Sequence, residues 1–144
     1  MRGRRLGIDV GAVRVGVALS DPDGVLATPV RTVPRDVARG TDLAAIAALV
    51  AEHDVVGIVV GLPRTLAGRE GPAAEAARAF ATALTRHLEA AGVAVPLEFA
   101  DERLTTVVAT RQMRESGRKG RRQRAVVDQV AAVAILQGWL ETRR

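Results

Sequence analysis

The sequence predicts an α/β fold: a five-stranded mixed sheet, built from a three-strand antiparallel meander plus two parallel strands, with helices on both faces. Three observations predict it. The first third of the chain sets short apolar stretches between strong turn signals, the signature of paired strands. Two later apolar runs, Val55–Val60 and Val93–Ala100, have strand length. Between and after them apolar residues recur at helical spacing, as in Phe80, Leu84 and Leu88. At 144 residues, without repeat or linker, residues 1–144 are expected to form a single domain.

The elements follow in order. Arg4–Val10 reads as the first strand, Gly11-Ala12 as a tight turn and Val13–Leu19 as the second strand, folded back as a hairpin. Ser20-Asp21-Pro22-Asp23-Gly24 is a turn. Val25–Val33 is the third strand, and Pro29 places it at an edge or at a bulge. A first helix runs from Thr41 to Glu52, capped by Thr41 or Asp42, with Leu43, Ile46, Leu49 and Val50 as its buried stripe. Val55–Val60 is a strand covered on both faces, ending in Gly61-Leu62-Pro63 and a loop to Gly71-Pro72. The second helix spans Ala73 to Ala91 and stops at Gly92. Val93–Ala100 is the fifth strand, followed by Asp101-Glu102-Arg103. Thr105 or Thr106 opens a third helix to about Glu115. A basic loop follows, and Gln123–Thr142 is the last helix.

Composition narrows the function. Hydrophobic residues make up 48% and aromatics only 2%, so the core must be built from Val, Leu, Ile and Ala. The absence of Cys excludes disulfides and thiolate metal sites. The N-terminus lacks the long apolar stretch of a signal peptide, and no apolar run reaches the roughly 18 residues of a membrane span. A cytoplasmic protein without a membrane partner is the expectation. Net charge is +5, and Lys119 is the only Lys, a bias that reads as genome composition. Placement says more: Arg111, Arg114, Arg118, Lys119, Arg121, Arg122 and Arg124 crowd one segment beside a single acid, Glu115. Such a patch is an electrostatic footprint for phosphate, or else a solvated loop.

The acids carry the chemistry. Asp9 sits at the end of an apolar strand, where an unpaired carboxylate costs several kcal/mol. On the last helix, Ile135 and Trp139 fall within about 20° of Asp128 on a helical wheel, so Asp128 heads the apolar stripe and faces the protein. A carboxylate in a first turn could also answer the helix dipole, which does not explain its apolar side. Glu102 is the preferred third acid, with Asp101 as its orienter or a further ligand; capping the next helix is the other use for one of them. Asp9, the Gly61 loop and the acidic pair all fall at strand carboxyl ends, where open sheets bind ligands. Inward carboxylates without His or Cys suit Mg²⁺ or Mn²⁺. His53 and His87 read as surface residues.

Four stretches carry a family resemblance. Gly7-Ile8-Asp9-Val10-Gly11 with Arg14-Val15-Gly16-Val17-Ala18, Val60-Gly61-Leu62-Pro63 with Gly68, Asp101-Glu102-Arg103-Leu104-Thr105-Thr106, and Asp128 with Ala131-Ala132 and Ile135-Leu136-Gln137 together resemble the motifs of the YqgF/RuvX family. The resemblance implies an RNase H-like fold, similarity to the Holliday-junction resolvase RuvC, and nuclease action at the 5′ end of precursor 16S ribosomal RNA. It carries Asp9, Glu102 and Asp128 over as the catalytic, metal-holding triad, and Gly11, Gly61, Pro63 and Gly68 as loop positions. The chain departs from the family at Arg64-Thr65-Leu66-Ala67-Gly68, where Thr65 stands for an amide and Ala67 for an acid.

The expected function is metal-dependent endonuclease action on structured RNA, precursor 16S rRNA or a pre-ribosome, by a monomer or homodimer. Arg103 and the segment Arg111–Arg124, joined by Arg64 and Arg69, would grip the backbone. Few aromatics leave few stacking platforms, so phosphates and shape should dominate recognition. Three alternatives remain: a resolvase of branched DNA, which needs a symmetric dimer; a half of an actin-like ATPase, which 144 residues are too few to complete; and a non-catalytic RNA-binding assembly factor.

Overall fold

A computed structural model describes residues 2–65, 67–102 and 121–143, the stretch 121–127 by its backbone alone. Three consecutive strands form the meander: β1 (Arg5–Val10), β2 (Arg14–Ser20) and β3 (Ala27–Pro34). Then come α1 (Thr41–Glu52), β4 (Gly57–Leu62), α2 (Pro72–Ala90), β5 (Leu97–Asp101) and a long C-terminal helix, α3 (Arg121–Thr142). The sheet order is β3-β2-β1-β4-β5, with β1–β2 and β2–β3 antiparallel and β1–β4 and β4–β5 parallel. This is the mixed sheet expected, with β1 at its centre. The helix expected between Thr105 or Thr106 and Glu115 lies outside the described residues.

Local chemistry accounts for the element ends. Gly11 donates to the Arg14 carbonyl across the hairpin (2.8 Å), so the turn takes Val13 as well as Gly11-Ala12, and Val13 is left exposed. Asp21 accepts the backbone N–H groups of Asp23, Val25 and Leu26, which delays β3 until Ala27. β3 is an edge strand, and its pairing skips a residue where Val17 faces Arg31 but Ala18 faces Pro29. A proline without an N–H is tolerated at such a place, so both uses read from Pro29 are present. Helix α1 departs from expectation. Its N-cap is Gly40, in the left-handed region at φ 71°, and neither Thr41 nor Asp42 caps it. The cap comes from Asp36 in the preceding turn, whose carboxylate accepts from the Thr41 hydroxyl, the Thr41 N–H and the Arg39 N–H. The buried face of α1 holds Ile46, Leu49 and Val50, as expected, but Asp42 instead of Leu43.

The two faces of the sheet are built differently. Leu6, Ile8, Val10, Val15, Val17, Leu19, Ile58, Val60 and Leu62 point to one face and pack with α1 and α2 in the larger core. Their alternate neighbours Gly7, Gly16, Ala18 and Gly61 are small, and α3 covers that other face, touching all five strands. Alternation along a strand sends every second residue to the same side, so the small residues form a lane. The approach is close: a Cβ on Gly7 would lie 2.6 Å from Leu136 Cβ, one on Gly61 2.4 Å from Ile135 Cδ1, and one on Gly16 2.1 Å from the Asp128 carbonyl oxygen. Gly61 is thus a position inside β4 under the helix, and not the loop residue expected.

Two outcomes follow for stability. Gly16→Ala would press a methyl group onto helix backbone that has nowhere to go; overpacking of this kind costs about 1–3 kcal/mol, and urea unfolding should show the loss as a lower midpoint. The Asp36 carboxyl is held below its ordinary value of 3.8, first by the Thr41 hydroxyl and then by the Arg39 N–H. A carboxyl depressed in the folded state contributes stability above its unfolded pKa and loses it as pH falls through the folded value. The melting-temperature gap between the wild type and Asp36→Ala should therefore be full at pH 7 and shrink as pH drops below about 4.

Candidate active site

Asp9, Glu102 and Asp128 are 1%, 2% and 3% exposed, three buried carboxylates in a small protein. Strand alternation points Asp9 to the small-residue face, between Gly7 and the helix. Across the hairpin Asp9 pairs with Gly16, the residue whose Cβ would run into the Asp128 carbonyl. On the other side Ile8 pairs with Val60, which sets Gly61 alongside Asp9. A Cβ on Gly61 would lie 3.2 Å from Glu102 Oε2. Neighbouring strands lie about 4.8 Å apart. Asp9 is therefore flanked by two glycines, one under Asp128 and one beside the Glu102 carboxylate. With a side chain at either glycine, helix and acid would be held off the strand.

Asp128 stands in the third turn of α3, which begins at Arg121, two residues earlier than expected. The dipole acts within the first turn, so it does not account for this acid. Ile135 and Trp139 are buried on the same helix, as the wheel placed them, together with Ala131, Ala132, Leu136 and Leu140. Asp128 Oδ2 accepts from Arg14 Nε at 3.0 Å. Asp101 closes β5 opposite Leu62 and is less buried; its Oδ2 lies 3.7 Å from Arg64 Nη1.

Arg64 is partly exposed and held by its neighbours. Its guanidinium also lies 3.3 Å from Glu70, which Arg78 grips with two hydrogen bonds of 2.7 Å. That grip, first of all the Arg78 hydrogen bonds, holds the Glu70 carboxyl below its ordinary range. Thr65, at the departure from the family pattern, closes the loop. Its hydroxyl accepts from Arg69 N–H, its N–H donates to the Arg69 carbonyl, and its carbonyl accepts from Gly68 N–H. Gly68 lies at φ 84°, a conformation that favours glycine. Pro63 is half-buried between β4 and this loop, and Arg69 points an exposed side chain outward. Arg103, Arg111, Arg114, Arg118 and Lys119 lie outside the described residues, and Arg121, Arg122 and Arg124 are placed only by the backbone that opens α3. His53 and His87 sit at the ends of α1 and α2, each partly exposed.

Sequence reasoning missed a buried pair that braces the hairpin. Asp42 is 2% exposed and lies 3.5 Å from Arg35 Nε. It also accepts from the N–H groups of Asp36 and Leu43. Arg35 stacks over the Phe80 ring at 5.4 Å, and its guanidinium donates to the Gly11 carbonyl at 3.3 Å. Its backbone N–H donates to Val13 (2.8 Å). One arginine thus ties α1 and α2 to the turn that follows Asp9. The signal was available: Asp42 falls on the apolar stripe of its helix, with Ile46 four residues on.

The donor chemistry of the three acids fits a hard divalent cation: oxygen only, buried, and cradled where two glycines leave room. Among the described residues, no three His, Cys, Asp or Glu side chains are already gathered tightly enough to enclose an ion. Arg14 holds Asp128 as the side chains stand.

Comparison with known proteins identifies the family and the fold. The family model described as RuvX, Holliday junction resolvase, matches residues 3–142. A protein of Nocardia farcinica (strain IFM 10152), named "Putative pre-16S rRNA nuclease", is 61% identical over 147 residues, covering 99% of this chain and 79% of its own length. One of Rhodococcus jostii (strain RHA1) with the same name is 57% identical over 145 residues, with the same coverage. Among solved structures, T. thermophilus RuvC in complex with Holliday junction substrate superposes with a TM-score of 0.60 over 98% of this chain and 95% of that one, at 14% identity. Thermus thermophilus RuvC on its own gives 0.55 at 13% identity. These two likenesses establish the RNase H-like fold expected from the motifs.

Proposed function

Since the chain belongs to the RuvX family, we propose that it is a metal-dependent endonuclease, a single domain over residues 1–144, that acts on structured RNA and matures the 5′ end of precursor 16S rRNA. The observation that carries the reading is the burial of Asp9, Glu102 and Asp128 on one face of the sheet, with glycines under Asp128 and beside Glu102. Burying a carboxylate costs several kcal/mol, and a cation shared by neighbouring acids offsets that cost. The two proteins named as pre-16S rRNA nucleases support RNA as substrate.

Asp9, Glu102 and Asp128 would hold Mg²⁺ or Mn²⁺. A divalent ion in such a site supplies water activation and neutralises charge on the reacting phosphate. The rest is done by the chain. The central strand fixes Asp9, the brace from Arg35 keeps its turn in place, and α3 brings Asp128 down onto the glycine lane. Asp101, held by Arg64, steadies the end of β5 beside Glu102. Arg103 and the arginines of 111–124 bind the phosphate backbone, with Arg69 as an exposed outer contact. Arg64 serves the loop, engaged as it is with Glu70 and Asp101. No helix among the described residues is long and apolar enough to cross a membrane.

A second reading, resolution of branched DNA, is favoured by the family description and by the fold shared with RuvC. One experiment separates the two: cleavage of precursor 16S RNA and of a four-way DNA junction in Mg²⁺ or Mn²⁺, by the wild type, Asp9→Asn, Glu102→Gln and Asp128→Asn. RNA cleavage should fall by roughly a thousandfold in each variant, about 4 kcal/mol of lost transition-state stabilisation. Cleavage unchanged in all three would refute the site, and junction cleavage alone would move the substrate to DNA. RNA binding should weaken about a thousandfold between roughly 50 and 200 mM salt, measured by filter binding; a flat profile would remove the basic segment from recognition.

A further inference from the structure

A groove of about 470 Å³ opens beside Asp128, between the β1–β2 turn and the start of α2. Val10, Val13, Pro72, Ala73 and Ala76 make it mainly apolar, and among the described residues Arg14 and Asp128 are the ionisable side chains that reach it. The Arg14 side chain is 21% exposed, that of Asp128 only 4%. A single bond joins them, Nε to Oδ2 at 3.0 Å, and the two Nη groups of Arg14 make no hydrogen bond among the described residues. The Arg14 backbone is fixed, since its carbonyl accepts from Gly11 N–H and would lie 2.7 Å from a Cβ on Gly11. With the backbone held, the head group one-fifth exposed and both Nη groups still available, the side chain has two places to go.

We propose that Arg14 is an internal counter-ion of Asp128, displaced when a divalent cation arrives, and that its guanidinium then turns into the groove to hold a phosphate of the substrate backbone. The inference rests on the acidic-site reading above. Without a metal, Asp128 is a buried carboxylate that needs a cation, and Arg14 supplies one. A divalent ion brings more charge to the same oxygen and competes with the arginine, so the arginine lowers apparent metal affinity by mass action. The released fork suits a phosphate, because a guanidinium offers paired donors that an ammonium does not. Arg14 is thereby a positioning residue for Asp128 in the metal-free protein and a substrate contact in the loaded one.

Competition makes a prediction that a merely structural arginine does not. Titration calorimetry of Mn²⁺ into the full chain should give about tenfold tighter binding to Arg14→Gln than to the wild type. The same variant should melt lower in EDTA and gain more from Mn²⁺ than the wild type does. Binding of precursor 16S RNA in Mn²⁺ should lose salt dependence by about one unit of slope, the share of one phosphate contact. In the wild type, Mn²⁺ should speed modification of Arg14 by phenylglyoxal, followed by peptide mass spectrometry; this arm stands even if the variant does not fold. Equal or weaker Mn²⁺ binding by Arg14→Gln, or Arg14 labelling that Mn²⁺ leaves unchanged or slows, overturns the exchange. Asp9→Asn separates the two levels. If the wild type takes up no Mn²⁺ that depends on Asp9, the acidic site itself fails and this inference with it. If it does and Arg14→Gln binds no tighter, the exchange alone is wrong.

Discussion

Everything at the acidic edge depends on how closely α3 can lie against the sheet. The helix backbone at Asp128 sits where a Cβ on Gly16 would be, 2.1 Å from its carbonyl oxygen. Gly7 and Gly61 make the same allowance for Leu136 and Ile135. A close-packed interior does not absorb a methyl group without moving something, and here the thing that would move carries Asp128. The glycine lane therefore does more than pack a helix. It sets the depth of one acid relative to a second on the central strand, and it leaves the third, Glu102, space beside Gly61.

The opposite face has another task. Its branched side chains bury α1 and α2 and supply most of the apolar core. The strand that presents Asp9 to one face presents Leu6, Ile8 and Val10 to the other, so the central strand is anchored by the face that does no chemistry. The Arg35–Asp42 pair extends that anchorage to the turn after Asp9. A buried pair of this kind is weak evidence for stability, since desolvation offsets attraction, but breaking one partner is costly. Its value here lies in geometry: one guanidinium meets a helix, an aromatic ring and the Gly11 carbonyl together.

Charge at the edge follows the same logic. Arginines from two elements approach the acids, Arg14 at the start of β2 toward Asp128 and Arg64 in the loop after β4 toward Asp101. Arg64 is committed on several sides, through Glu70 and Arg78, and belongs to the loop after β4. The Arg14 side chain makes one hydrogen bond among the described residues and faces a groove. The two look alike in the sequence, and their surroundings give them different roles.

The sequence by itself determined the order of elements, the mixed sheet, the inward side of Asp128 and the membership of Asp9, Glu102 and Asp128 in one edge, because these follow from alternation, helical period and motif spacing, all of them local. Pro29 announced both an edge and a bulge for the same reason. The cap of α1, the place of Gly61 inside a strand and the partners of Arg14, Arg35 and Arg64 were decided only by the tertiary structure. Asp36 caps a helix five residues on because its turn folds back; Gly61 is needed because Ile135, 74 positions later, comes down on it. Sequence pattern reports which side of its own element a residue faces. What waits on that side is set by another element, whose distance in the chain carries no trace of its distance in space.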